Sequence, residues 1–494
     1  MGKDYIGFVA RSSAFIFIAS IMANVFGYFA RAFLSRTVTP AEFGLFYSVF
    51  TFFLFMSLPA DMGFSNSLVR YIAKLRSEGD SKNLTSSILM VFIIKLLLAL
   101  IIGGAMFLLA PWLSVVFFKS PDAVLLVRFA SLYILLGAVG NVISAIFNGF
   151  KKMYAYGIHV MARKGFFILF LILIASYTSI KGVLLPALAW LLTSLSLVVV
   201  FPFLLPVFRL LSKKINLTKK MLKELAFFAF PSVLTGLGDV FIGYIDVMML
   251  TFFRTLTEVG VYNTVLPTAL IFTYVAGSVA RVMFPVSTEL WVKGKKKELK
   301  QGLEKVSSFI LYLLLPVVVI LLFYSRLLLK LLFGDSYISG AIALSILAVG
   351  IIFSSMFKLN AVVFNGIGKP QEITKIVFIT AVFNTLLNLL LIPKWGIEGA
   401  AITTTLSYGL SLVLSFRKMK KYVSWRPNWR SMFKISFSAI VFFMVFFILK
   451  QVIQLPILFE AGLVSALSGF VYLGLGYLFK IFTIKDIKQL IPSF

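Results

Sequence analysis

The stretch "SSILMVFIIKLLLALIIGGAMFLLA" at 86–110 contains a single charged residue, Lys95. As a helix it is long enough to cross a hydrocarbon core about 30 Å thick. Apolar runs of roughly 18–25 residues recur along the whole chain, each a membrane-span candidate. The residue balance agrees: 60% of residues are hydrophobic and 13% charged, where soluble domains have about 25% charged. The expected fold class is an all-α polytopic membrane protein.

About fourteen transmembrane helices are expected by this criterion. They fall near 12–35, 43–67, 87–110, 123–147, 158–179, 183–206, 225–252, 259–286, 306–330, 341–364, 376–393, 398–416, 433–455 and 461–480. The connections are short, so no soluble domain is inserted. The first run exceeds the apolar core of a cleaved signal peptide and reads as a retained helix. Cysteine is absent and His159 is the only histidine. That removes disulfides and thiolate or histidine-based metal sites, and no cofactor is expected. GxxxxGK[ST] does not occur, so energy would come from an ion gradient, the membrane potential or substrate supply.

The net charge of +29 is unevenly placed. One basic loop holds Arg70, Lys74, Arg76 and Lys82; another holds Arg209, Lys213, Lys214, Lys219, Lys220 and Lys223. "KGKKKELK" at 293–300 and "RKMKKYVSWRPNWR" at 417–430 are two more. The loops between them carry one or two basic residues each, such as Arg36, Lys119, Lys181 and Lys394. Lys/Arg excess marks cytoplasmic loops. Both termini are therefore expected in the cytoplasm of a cell-membrane protein, in agreement with an even number of spans. The basic loops also meet anionic headgroups of the bilayer. Nucleic acid is not an expected partner, because no aromatic–basic binding module accompanies the charge.

Two segments resemble each other: "FNGFKKMYAYG" at 147–157 and "FNGIGKPQEIT" at 364–374. Gly149 and Gly366 are 217 residues apart, as are the final glycines of "IKG" at 180–182 and "IEG" at 397–399. "GY" at 27–28 and at 243–244 differ by 216 residues, as do "AEFGLF" at 41–46 and "TEVGVY" at 257–262. The offset covers six spans, and an even number preserves orientation. Two parallel six-helix lobes are expected, related by an axis along the membrane normal. Their boundaries are 1–210 and 211–424, with a C-terminal helix pair in 425–494. Phe-Asn-Gly would end the fourth span of each lobe, where a left-handed residue closes the last turn.

Four segments stand out: "TPAEFGLFYSVFTFFLFMSLPADMGFSNSLVRYIAK" at 39–74, "YIDVMMLTFFRTLTEVGVYN" at 244–263, "FNGIGKPQEITK" at 364–375 and "WGIEGAAITTTLSYGLSLVL" at 395–414. In them the chain resembles the polysaccharide transporters, the Wzx-type lipid-linked oligosaccharide flippases of the multidrug/oligosaccharidyl-lipid/polysaccharide exporter superfamily. The resemblance implies fourteen helices, two six-helix lobes and a helix pair. It also implies that a polyprenyl-linked glycan moves from the cytoplasmic to the outer leaflet.

Ionisable residues inside spans cost about 2.5–3.5 kcal/mol each at mid-helix and usually face a cavity or a partner. The candidates are Arg31, Asp61, Lys95, Arg128, Arg163, Lys164, Asp239, Asp246, Arg281 and Lys358. Arg31 and Arg128 lie about a turn from the outer ends of their spans, within snorkelling reach. Arg163 and Lys164 lie near the cytoplasmic end of theirs, where snorkelling and a cavity role compete. Arg31, Arg281, Lys358 and Lys164 are the candidate cations for a substrate headgroup. Asp61, Asp239 and Asp246 are candidates for coupling to a proton or sodium ion, or for an ion pair that latches the lobes. Asp246 matches Ala30 in the repeat, beside Arg31. Asp61 follows Pro59 and precedes Gly63, and a helix break is expected there.

Three functions compete. A lipid-linked oligosaccharide flippase suits cavity cations, which match a phosphate or diphosphate. A cation-coupled drug or small-molecule exporter of the same superfamily would favour an anionic lumen. A membrane glycosyltransferase or glycan polymerase needs acid/base residues on sizeable outer loops. The outer loops here are short and carry neither His nor paired carboxylates, so the chain is not expected to be an enzyme.

Overall fold

A computed structural model describes residues 2–201, 215–424, 429–479 and 481. Side chains 2–11, 13–14, 81, 231–232, 234–239, 242, 275 and 281 lie outside that description. The described chain is helical throughout, as a lipid-exposed backbone requires when no water is present to bond its polar groups. It divides into two compact units, 1–260 and 261–494.

The first unit contains α1 (Gly2–Thr37), α2 (Pro40–Asp61), α3 (Phe64–Ser77), α4 (Ser81–Val116), α5 (Ala123–Gly149), α6 (Met153–Tyr177), α7 (Leu184–Val200) and α8 (Lys219–Phe253). α9 (Leu256–Ile271) begins in it. The second unit holds α10 (Thr273–Val292), α11 (Lys296–Phe333), α12 (Ala341–Gly366), α13 (Pro370–Val423), α14 (Trp429–Val452) and α15 (Ile457–Leu478). A short 3-10 turn, Asp335–Gly340, joins α11 to α12.

Among the described residues, ten helices are long and apolar enough to cross a membrane, or eleven if the bent pair Leu256–Ile271 and Ala276–Val292 is one span. The chain is a multi-pass membrane protein. The expected fourteen exceeds this count for identifiable reasons. α13 counts once, although Gly396, with φ 52° and ψ −128°, divides it. α7 has only 17 described residues, and α8 runs through side chains outside the description.

The Phe-Asn-Gly segments close their helices in matching ways, and one expectation needs correcting. Gly149 and Gly366 are themselves the last residues of α5 and α12. The left-handed residues come later, at Lys151 (φ 56°) and Gly368 (φ 74°). Lys152 N–H donates to the Phe147 carbonyl and Lys369 N–H to the Phe364 carbonyl, both at 2.8 Å. The glycines serve packing instead. A methyl group on Gly149 would lie 2.8 Å from Ile72 Cβ of α3, and one on Gly366 would overlap Ser287 Oγ of α10 and lie 2.9 Å from the Phe284 carbonyl. Helix ends at the two related positions are thus held against equivalent neighbours.

The expected break after Pro59 is present. Asp61 ends α2, and Met62 and Gly63 both adopt left-handed backbone, with φ 43° and 74°. α3 then packs Leu68, Tyr71, Ile72 and Leu75 into a core shared with Leu84 and Val91 of α4, Val142 and Phe147 of α5, and Met221 and Leu225 of α8.

α2 and α9 start alike. Thr39 caps α2 in a capping box with Glu42, and Glu258 N–H donates to Thr255 Oγ1 before α9. Two residues beyond each glutamate stands a glycine. A methyl on Gly44 would overlap the Leu256 carbonyl oxygen, and one on Gly260 would overlap that of Pro40. The two helix starts therefore touch backbone to backbone. In the second unit, α15 is bound to α11. Tyr312 and Tyr472 stack at 4.5 Å, and each hydroxyl donates to the other's carbonyl, at 3.1 and 2.9 Å.

Candidate functional site

The sequence-derived charges fall into four settings. The first is a cationic cluster formed by α1, α2, α5 and α6. The Arg31 guanidinium lies 4.3 Å from the centre of the Tyr47 ring. Lys164 runs its stem along Gly27 of α1, with Cδ 3.7 Å from where a methyl there would sit. Its ammonium lies 5.9 Å from the Phe50 ring of α2. Arg31 and Arg163 are the charges that act on Lys164. Arg163 itself donates a hydrogen bond to Tyr133 of α5. Arg31 is half-buried, while Arg163 and Lys164 retain accessible surface. Three cations thus share one region of a membrane-spanning bundle. No described carboxylate forms an ion pair with Arg163 or Lys164.

The sequence marked Arg31 and Lys164 as headgroup cations and left Arg163 between snorkelling and a cavity role; it did not mark Tyr133 or Tyr47. Gly27, in the repeated "GY", was the available signal, because a small residue makes room for a lysine stem. Tyr133 could not be singled out within its apolar run. It packs on Trp190 at 4.2 Å and meets Phe53 edge-on at 4.8 Å, which fixes the hydroxyl that Arg163 meets.

The second setting pairs Asp61 with Lys95. Lys95 is 1% exposed. Its ammonium bonds Asp61 Oδ1 at 2.5 Å and Ser65 Oγ at 2.6 Å, and Ser65 Oγ also donates to Asp61 Oδ1. A lysine in mid-span is tolerable with its charge paired and its protons bonded. The trio ties the two sides of the α2–α3 break to α4.

The third setting is α8. Asp246 is buried at 2% exposure. Tyr244, two residues earlier, acts electrostatically on Tyr47, as Arg31 does. The side chain of Asp239 lies outside the described residues. The fourth setting is in the second unit. The Lys358 ammonium donates to Thr273 Oγ1 at 2.8 Å, at the start of α10, and no ion pair joins it to a described carboxylate. The side chain of Arg281, on α10, lies outside the described residues. Arg128 is exposed and sits 5.0 Å from the Phe107 ring, a placement suited to snorkelling. No group of acidic or histidine side chains fit to hold a metal occurs among the described residues.

Comparison with known proteins gives the setting for these charges. The family model described as "Polysaccharide biosynthesis protein" matches residues 9–291. The membrane protein MJ1068 of Methanocaldococcus jannaschii is 30% identical, with 96% of each chain covered. The lipid II flippase MurJ of Bacillus subtilis is 26% identical over 91% of this chain and 90% of its own. A solved structure of lipid II flippase MurJ in an inward closed conformation superposes with TM-score 0.77 at 16% identity. It covers 96% of this chain and 99% of that one, and so shows the same fold.

Proposed function

The chain belongs to the polysaccharide biosynthesis protein family, and from that premise we propose that it is a flippase for a polyprenyl-phosphate-linked oligosaccharide. The lipid-linked glycan moves from the cytoplasmic to the outer leaflet of the cell membrane by alternating access. The moving parts are the lobes 1–210 and 211–424, accompanied by the helix pair in 425–494, with both termini cytoplasmic. A flippase relative of matching length supports this reading.

The observation that carries the reading is the convergence of Arg31, Arg163 and Lys164. A lipid phosphate must leave water as it crosses, and an unpaired anion in a low-dielectric interior would be prohibitive. Cations within the span offset that cost. Arg can offer a phosphate two parallel hydrogen bonds, and Lys offers a compact charge. Lys358 and Arg281 are the candidate cations of the other lobe. Asp246 and Asp239 are the remaining candidates for proton or sodium coupling. Asp61 is assigned to its ion pair with Lys95 instead.

The test is reconstitution in liposomes with a labelled lipid-linked glycan, read as the fraction reachable from the outer leaflet. Lys164→Ala and Arg31→Ala should each slow flipping, while Arg128→Ala should leave it near normal. Normal flipping by both cluster variants would remove the cationic headgroup site.

A further inference from the structure

α3 and the first turns of α8 touch through a row of polar contacts that no catalytic or binding role explains. Ser67 Oγ donates to the Leu225 carbonyl at 2.7 Å. The Tyr71 hydroxyl donates to Glu224 at 3.0 Å, and Lys74 pairs with the same carboxylate at 3.5 Å. The Arg70 guanidinium lies 3.6 Å from the centre of the Phe228 ring. Just before α8, Asn216 N–H donates to Ser86 Oγ of α4 at 2.9 Å. These contacts fall at one end of α8, beside Lys219, Lys220 and Lys223.

The two sides of this seam are built differently. α3 is fixed to its own neighbours: Ile72 fills the space at Gly149 of α5, and the Asp61–Ser65–Lys95 trio fastens its upper end to α4. α8 meets α3 through exchangeable groups at its solvent side and through a buried apolar core beneath them. Glu224 and Lys74 are both partly accessible to solvent, so water can replace each partner when they part. The apolar share of the seam is Met221, Leu225 and Ala229.

We propose that the α3–α8 seam is the cytoplasmic gate of the transport path. Residues 219–228 form the leaf, α3 forms the fixed jamb, and Glu224 is the bolt, held by Tyr71 and Lys74. The inference rests on the flippase reading for what passes, since a glycan must reach Lys164 from the cytoplasm between helices of the first and second repeats. Opening means separating Glu224 from its two partners and the Leu225 carbonyl from Ser67.

Two measurements test the gate, and the first needs no substrate. A single cysteine at Lys164→Cys in this cysteine-free chain is exposed to a membrane-impermeant thiol reagent on the cytoplasmic side. Adding Glu224→Gln, or separately Tyr71→Phe, should raise the labelling rate several-fold while the melting temperature in detergent stays close to that of the parent. Unchanged labelling in both backgrounds overturns the gate, whatever the protein carries. In the second measurement, Tyr71→Cys/Glu224→Cys is bridged by a short, cleavable bis-methanethiosulfonate. Flipping should stop and should return on reduction. A bridged protein that flips at the normal rate also overturns the gate, as does a pair of cysteines that cannot be bridged. Faster labelling in a protein that moves no lipid-linked glycan would retain the gate and reject the flippase reading.

Discussion

At Lys95 a full positive charge is 1% exposed within an apolar helix, and its stability depends on Asp61 and Ser65. Removing one member of a buried ion pair costs about 3–5 kcal/mol, because the other charge is left unpaired. Asp61→Asn should therefore lower the melting temperature of the purified protein markedly. The double variant Asp61→Asn/Lys95→Met should recover most of the loss. If the double variant melts no higher than the single one, the pair is not the reason Lys95 is tolerated. The proposed headgroup role of the cationic cluster obeys different logic, because it concerns the charge of a passing substrate. A charge-assisted hydrogen bond contributes about 1.5–3 kcal/mol, so losing one to the crossing phosphate slows flipping about tenfold to a hundredfold. Lys164→Ala should show this loss with little change in melting temperature, measured as outer-leaflet delivery per folded protein. These charges were legible in the sequence because a charge in an apolar run stands out. Their partners were not. Asp61 and Lys95 are 34 residues apart, and only the packing of α2 and α3 against α4 brings them together. Arg163 stayed open between snorkelling and a cavity role because depth along a helix says nothing about which way it faces; its bond to Tyr133 turns it toward α5.

Among the elements, the fourth-span ends show how a motif can be recognised and its purpose misread. The repeat of Phe-Asn-Gly was plain, and turn chemistry is the usual reason for such a pair. The structure puts positive φ at Lys151 and Gly368 instead, and uses the motif's glycines to admit Ile72 on one side and the Phe284 carbonyl on the other. Close approach between helices is a property of tertiary packing, which a single helix's sequence does not report. The difference between the two neighbours gives a prediction. Gly149→Ala places a methyl 2.8 Å from Ile72 Cβ, and overpacking of this kind typically costs about 1–3 kcal/mol. Ile72→Ala should relieve it, so that the double variant is more stable than the sum of the two single losses. At Gly366 part of the obstacle is backbone, the Phe284 carbonyl at 2.9 Å, and trimming Ser287→Gly should rescue Gly366→Ala only in part. Thermal melts of the six variants decide between the two cases. Equal rescue at both sites would mean that α10 yields as easily as a side chain does.

For the whole molecule, span number and orientation are linked. Apolar runs were easy to count in the sequence because each must satisfy lipid on its own. Their joining was harder to read: residues 370–423 are two helices that turn back on each other at Gly396, so that Lys418 of the second pairs with Glu372 of the first at 3.0 Å, as the two expected spans require. If Gly396 is the outer turn between spans eleven and twelve, its neighbour Lys394 faces outside, and the even count with cytoplasmic termini follows. The long helices agree in direction. α4 has 36 residues, about 54 Å, and α11 runs from Lys296 to its break at Tyr324, about 42 Å, both beyond a 30 Å core. Each starts beside a basic segment, at Lys82 and Lys296, where cytoplasmic loops concentrate Lys and Arg. Single cysteines provide the measurement, since the chain has none of its own. Lys296→Cys and Lys421→Cys should react with an impermeant reagent only from the cytoplasmic side. Lys181→Cys and Lys394→Cys should react only from outside. All four side chains are exposed, so silence at a site reports the membrane side and not burial in the protein. Lys213→Cys, expected on the cytoplasmic side, lies outside the described residues and serves as an independent check. Reversal at Lys394 alone would make residues 370–423 something other than two spans and leave an odd count. Reversal at both outer sites would overturn the orientation itself, and with it the assignment of the α3–α8 seam to the cytoplasm.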